Sequence, residues 1–381
     1  MSPTRDWRKA LKSQPTYRIG NKTICCQTFF VYSVGITGMI LLFCLYTSST
    51  TRSTSNYYIR SNYNYTYPIT RPIKTSTMHI FKIGVIADLD QNSRSDKEKN
   101  TWYSYLKTGY LSYNLQTHRI IINWDQKEPI VLTTSYALNG RGLELSELLT
   151  FDGRLLTFDD RTGIVFELIN NNKNIIPWLI LMDGNGKSLK GFKSEWATVK
   201  DEVLHIGSIG KEWTTATGEF VNNDPQFIKT ITKEGYVKHI NWVDQYNKLR
   251  SIIGISWPGY MIHESALWSD VHQQWFFLPR RCSKEPYNES LDEHRGCSVL
   301  LRVDPEFHNI NVIEIGNAKP TRGFSSFKFI PTSNDEVIIA LRTEELNGNT
   351  ATYITAFTID GKILLEDEHI ADDKYEGLEF I

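Results

Sequence analysis

From about residue 80 to 381, apolar positions come in short runs separated by polar turns, with little helical striping. Ile83-Gly84-Val85-Ile86-Ala87 is one such run. Leu155-Leu156-Thr157-Phe158 and Ile164-Val165-Phe166-Glu167-Leu168 are two more, joined by Asp159-Asp160-Arg161-Thr162-Gly163, a composition that closes hairpins. The same style recurs at 337–341 and at 355–359, the latter followed by Asp360-Gly361. Stretches 102–111 and 244–253 are read as short helical turns or loops, too brief for an α/β alternation. The expected class is all-β.

A weak internal repeat organises these runs. Five times an acidic or hydroxyl residue precedes an apolar strand: Ser146 before Glu147-Leu148, Glu195 before Trp196-Ala197, Glu264 before Ser265-Ala266, Ser325 before Ser326-Phe327, and Glu376 before Gly377-Leu378. Successive spacings are 49, 69, 61 and 51 residues, suited to four-stranded propeller blades with variable loops. If each motif opens the innermost strand of a blade, three carboxylates and two hydroxyls ring a central channel. That set favours a hard cation, Ca²⁺ over Mg²⁺ because the ring is irregular. Glu376, close to the end of the chain, places the last strand at the core, closing the ring against the N-terminal strand. The pattern alone leaves open whether these are ligands or merely polar strand ends.

The N-terminal part differs. No charge occurs from Thr23 to Thr51, and the preceding tail carries Arg5, Arg8, Lys9, Lys12, Arg18 and Lys22 against one Asp6. This reads as a cytosolic basic tail (1–27), a transmembrane signal anchor (28–47), a Ser/Thr/Asn/Tyr-rich luminal stalk (48–79) and a globular domain (80–381). The expectation is a single-pass type II protein facing the endoplasmic reticulum or Golgi lumen, with the cell surface, or secretion after cleavage of the segment as a signal peptide, as alternatives. Two Asn-x-Ser/Thr sequons, at Asn64 and Asn288, fall on the luminal side. Cys282 and Cys297, also on that side, can form a disulfide if the compartment is oxidising. With 42 Lys and Arg against 43 Asp and Glu there is no basic field to gather nucleic acid, and no nucleic-acid partner is expected.

Asp88 and Asp90 follow the run 83–87 and share a face by period two; such a pair can orient or deprotonate a water, or hold a metal. Gly140-Arg141-Gly142-Leu143-Glu144 precedes the first ring residue; its glycines admit close backbone approach, and Arg141 can grip a phosphate. Familiar motifs fail on inspection. A phosphate loop ending at Ser188 has Leu181 where its first glycine belongs, and an EF-hand starting at Asp88 has Ser93 for glycine and Lys99 for glutamate. His263-Glu264 lacks the second zinc histidine, position 267 being Leu.

Val85-Ile86-Ala87-Asp88-Leu89-Asp90, Gly140-Arg141-Gly142-Leu143-Glu144-Leu145-Ser146, Gly191-Phe192-Lys193-Ser194-Glu195-Trp196, Pro258-Gly259-Tyr260-Met261-Ile262-His263-Glu264-Ser265, Trp275-Phe276-Phe277-Leu278-Pro279-Arg280-Arg281, Gly323-Phe324-Ser325-Ser326-Phe327 and Lys374-Tyr375-Glu376-Gly377-Leu378-Glu379-Phe380 closely resemble the soluble calcium-activated nucleotidase family, the apyrases of the five-bladed β-propeller type. The resemblance runs from about residue 80 to the end. It implies Ca²⁺-dependent cleavage of nucleoside di- and triphosphates (UDP, GDP, and possible ADP or ATP) to the monophosphate. Carried over, the calcium ring falls on Ser146, Glu195, Glu264, Ser325 and Glu376. The catalytic and nucleotide side falls on Asp88, Asp90, Glu144 and Arg141, and the family raises a homodimer. The pair Cys282 and Cys297 is not expected from the family pattern. Two other readings stand beside this one: a cell-surface apyrase clearing ADP and ATP, and a non-catalytic, calcium-stabilised propeller that binds a partner.

Overall fold

A computed structural model of the protein describes residues 16–25, 36–42 and 62–381, in two compact units, Met1–Asn62 and Tyr63–Ile381. The first holds a hairpin of β1 (Thr16–Ile19) and β2 (Lys22–Cys25) and a helical stretch over 36–42. Most of the anchor expected over 28–47 lies outside the described residues. Among the described residues no helix is long and apolar enough to cross a membrane.

The second unit is a five-bladed β-propeller. Its first blade takes β3 (Ile73–Lys74), β4 (Met78–Ala87), β5 (Trp102–Asn114), β6 (Ile120–Trp124) and β7 (Ile130–Thr134). The second is β8 (Leu145–Phe151), β9 (Arg154–Asp159), β10 (Ile164–Ile169) and β11 (Asn174–Ile180). The third is β12 (Trp196–Lys200) and β13 (Val203–Gly207), then, past a small hairpin of β14 (Trp213–Thr214) and β15 (Phe220–Asn222), β16 (Phe227–Ile231) and β17 (Val237–Asn241). After helix α1 (Val243–Ser251) comes the fourth, β18 (Tyr260–Ser269), β19 (Gln274–Ser283), β20 (Val299–Val303) and β21 (Ile310–Glu314). The fifth is β22 (Arg322–Phe329), β23 (Val337–Leu346), β24 (Asn349–Thr358) and β25 (Ile363–Ala371). The last strand, β26 (Tyr375–Phe380), returns to the first blade and pairs antiparallel with β4 as its innermost strand, Leu378 opposite Val85. Chain closure thus follows the expectation.

Five apolar layers, each between consecutive blades, hold the ring. Trp196 of β12 packs with Trp242, Trp275 and Phe277 between blades three and four, while Phe81, Val85, Ile339 and Phe380 fill the seam between five and one. Each layer buries whole Phe, Trp, Leu and Ile side chains, worth ~1.5–3 kcal/mol apiece, so the tryptophans are mostly core. Segment 102–111 is not a helical turn. It forms most of β5, whose alternating burial of Trp102, Ser104 and Leu106 shows a strand packed on one face; serine, threonine and lysine there disguise the period. The compact unit also starts at Tyr63, inside the stretch read as stalk.

Candidate active site and metal centre

Four of the five repeat positions share a local cause. Ser146 drops out of the β8–β9 register, Glu264 and Ser265 out of β18–β19, Ser325 out of β22–β23 and Glu376 out of β26–β4, each at a β-bulge. Glu195 sits one residue ahead of β12, its backbone N–H donating to Gly207 at 2.8 Å. A bulge leaves its extra residue without a cross-strand partner and re-aims the side chain. Ser146, Glu195 and Glu376 lie at the N-terminal ends of their innermost strands, and Glu264 and Ser325 at bulges within theirs. The C-terminal ends of the innermost strands, with Thr150, Trp268, Lys328 and Glu379, line a separate cavity of about 380 Å³ together with Tyr63 to Tyr67.

Glu195, Glu264 and Glu376 line an axial cavity of about 200 Å³ together with Asp88 and Asp90. Eight acidic and four basic side chains line it in all, so acidic groups outnumber basic ones two to one. Burial pushes Glu195 well up, with Glu264 and Glu376 adding to the rise against Lys193, and pushes Glu376 up to about 8. The Ser146 and Ser325 hydroxyls are buried with no hydrogen-bond partner. The orphaned hydroxyls of Ser146 and Ser325 and the mutually repelling carboxylates of Glu195, Glu264 and Glu376 are oxygen donors of the kind a hard divalent cation takes. Ser325→Ala separates this role from packing. Without added cation it should melt at the same temperature or slightly higher, since an unsatisfied buried hydroxyl is removed. The rise in melting temperature on adding Ca²⁺ should shrink, with affinity down about tenfold; differential scanning fluorimetry in chelator and in Ca²⁺ checks both.

Asp88 and Asp90 stand at the rim. Asp88 is 3% exposed, accepts from the Asp90 backbone N–H at 2.8 Å and pairs with Lys374 at 2.8 Å. Burial would raise its carboxyl, but Lys374 outweighs it and holds it below the usual range. Asp90, with positive φ and a half-exposed side chain, is raised by burial and by Asp88, and meets the same ammonium at 2.7 Å. Arg141 spends two donors on Glu144, Nε at 2.8 Å and Nη2 at 2.5 Å, and reaches Asp90 only at 3.7 Å. Glu144 is nevertheless pushed up to about 7, by burial first and then by Asp160 and Asp88, against Arg141. Carboxylate oxygens of Asp88, Asp90 and Glu144 lie within 4.8 Å of one another, a spacing that also admits a cation.

The countercharges are what sequence reasoning missed. Lys374 also reaches Glu345 at 3.2 Å and Glu376 at 3.7 Å; Arg280 binds Glu264, Glu376 at 2.6 Å and Glu345 at 2.9 Å; Lys193 joins Glu195 at 2.5 Å to Asp160. Burial alone would raise Glu345, but Arg280 and Lys374 pull it down to about 2. A signal existed: Lys193 and Lys374 each stand two residues before a ring glutamate.

His263, beside Glu264, is fully buried against Tyr246 and Phe277, with both ring nitrogens unpartnered. Burial pushes it down to about 3, below its ordinary ~6.5 in the unfolded chain. Its contribution is full above the unfolded value and is lost as pH falls from ~6.5 toward 3, because only the unfolded state then takes up the proton. His263→Phe should therefore lose about 2 kcal/mol less stability than the parent between pH 7 and pH 5, measured by urea denaturation at both.

A family model described as Apyrase matches residues 89–381. Over 321 residues the chain is 50% identical to a Rattus norvegicus protein named soluble calcium-activated nucleotidase 1, covering 84% of this chain and 79% of that one. The Mus musculus protein of that name matches to the same extent, 50% over 321 residues, with the same shares of the two chains, 84% and 79%. A Cimex lectularius protein named apyrase is 44% identical over 367 residues, 96% of this chain and 99% of its own length.

Proposed function

This chain belongs to the apyrase family, and from that premise we propose that it hydrolyses nucleoside di- and triphosphates to the monophosphate, using Ca²⁺ at the axial cavity. The observation that carries the reading is the charge of that cavity. With eight acidic side chains against four basic ones, it disfavours a bare polyphosphate and suits one whose charge a divalent cation offsets. Ser146, Glu195, Glu264, Ser325 and Glu376 would hold Ca²⁺, which when bound supplies Lewis-acid neutralisation of phosphate oxygens. Asp88, kept anionic by Lys374, orients the attacking water. Asp90, raised and at the boundary with an outer pocket of about 530 Å³, is placed to take its proton. Glu144 fixes Arg141 beside this pair, and the outer pocket accommodates the nucleoside.

The family name of the relatives, calcium-activated, supports the choice of cation. The Cys282–Cys297 disulfide and the two sequons support an oxidising luminal or extracellular compartment, reached as a type II membrane protein of the endoplasmic reticulum or Golgi. Carbonate extraction of membranes tests the anchor, and gel filtration with Ca²⁺ tests a homodimer. The decisive experiment is phosphate release by the full chain from UDP, GDP, ADP and ATP with Ca²⁺ or Mg²⁺, with UMP as a control that should release none. Calcium binding without phosphate release from any nucleotide would favour the non-catalytic propeller instead.

A further inference from the structure

Cys282 and Cys297 are bridged across 15 residues of sequence, an element the family resemblance did not lead us to expect. The loop they close carries Tyr287, Glu289, Asp292 and Glu293, all of which line the outer pocket that Asp88, Asp90 and Lys374 share with the axial cavity. We propose that this disulfide-closed loop is the wall that recognises the nucleoside, with Tyr287 and Asp292 as specificity-determining residues; this rests on the nucleotidase reading above.

The loop is built as a fixed wall. Cys282 N–H donates to Arg295 O at 2.9 Å and Cys297 N–H to Arg280 O at 3.1 Å, tying its base to the strand that supplies Arg280. Arg295 donates to Pro286 O at 2.8 Å and to the Tyr260 hydroxyl at 3.2 Å, and that hydroxyl donates to Asp292. Neighbouring blades grip it on both sides: Glu289 N–H donates to Ala216 O at 3.3 Å, and Glu293 accepts from Asn347 N–H at 3.2 Å. The Tyr287 ring meets the Tyr260 ring edge-on at 5.4 Å, with the Lys211 ammonium 4.3 Å from its centroid. Tyr103 and Tyr105 of β5 line the same pocket. An aromatic face ordered in this way stacks a base, and carboxylates beside it accept hydrogen bonds from base N–H groups and ribose hydroxyls. A disulfide keeps such a loop in place by denying it the open arrangements a free loop would sample.

The test measures kcat and KM of the full chain for UDP, GDP, ADP and CDP in saturating Ca²⁺, with Tyr287→Ala, Tyr287→Phe and the double variant Cys282→Ser/Cys297→Ser, each checked by thermal melting. Tyr287→Ala should raise KM for the preferred nucleotide about tenfold, compress the kcat/KM ratio between best and worst base several-fold, and leave kcat within about twofold. Tyr287→Phe should behave as the parent, and the double variant should follow Tyr287→Ala. If all four substrates change by one common factor, or none changes, the loop is structural only and the proposal falls; if the double variant does not fold, Tyr287→Ala decides. A parent chain that discriminates bases less than twofold also overturns it. A parent chain that releases no phosphate from any nucleotide removes the nucleotidase reading itself, whereas an active parent with unmoved ratios removes only this inference.

Discussion

Asp88→Asn is expected to lower kcat about a thousandfold while KM for the nucleotide changes little. The carboxylate is buried, held anionic by Lys374, and fixed by the Asp90 backbone N–H, so its geometry is set before substrate arrives. Asparagine keeps the shape and removes the charge that polarises a water. The Lys374 ammonium retains Asp90, Glu345 and Glu376, so the variant should still fold, and its circular dichroism spectrum and melting curve check this. Single-turnover phosphate release separates chemistry from binding. A variant with kcat within threefold of the parent would take Asp88 out of the catalytic step.

The second large effect concerns the cation. Chelation should abolish turnover, and Glu195→Gln should raise the Ca²⁺ concentration for half-maximal activity by about 10–100-fold, with activity recovered at saturating Ca²⁺. Glu195 suits the test because Lys193 keeps a second partner, Asp160, when the charge is lost. Burial beside Glu264 and Glu376 already disfavours ionised Glu195, so the amide relieves repulsion without cation and weakens binding with it. Isothermal titration with Ca²⁺ reads affinity independently of turnover. Unchanged affinity in this variant would dissolve the axial ring as a binding site.

The repeat was legible because a bulged residue escapes the alternation around it. Ser146, Glu264, Ser325 and Glu376 interrupt apolar strands with oxygen donors one or two blades apart, and that survives loops of differing length. Closure by the last strand was legible for the same reason. The ion pairs were not. Arg280 lies on β19, a second strand, and Glu345 on β23; nothing in one dimension shows that Arg280 reaches two axial glutamates or that Glu345 meets both Arg280 and Lys374. The strand 102–114 was hidden by its polar positions, since Ser104 stands among its buried residues and Tyr103, Tyr105 and Lys107 between them are only partly buried. Low aliphatic content made 62–79 look like tether, yet Tyr63 packs on Phe151 and the Tyr67 hydroxyl donates to Glu379 at 2.9 Å. Tyrosines can dock by their rings and hydroxyls where aliphatic content is low.

The return of β26 to the first blade has a bearing on biogenesis. Asp88 leaves the ribosome long before Glu376, yet Lys374 must stand between them and the Asp88 N–H must find the Lys374 carbonyl. A nascent chain still lacking 374–381 carries four complete sheets and one without its central strand, its Phe81, Val85 and Ile86 deprived of Leu378 and Phe380. Until residues 374–381 pair with β4, the apolar seam of the first blade stays uncovered and the ammonium that stands between Asp88 and Glu376 is missing, so the blade and that ion-pair cluster form together.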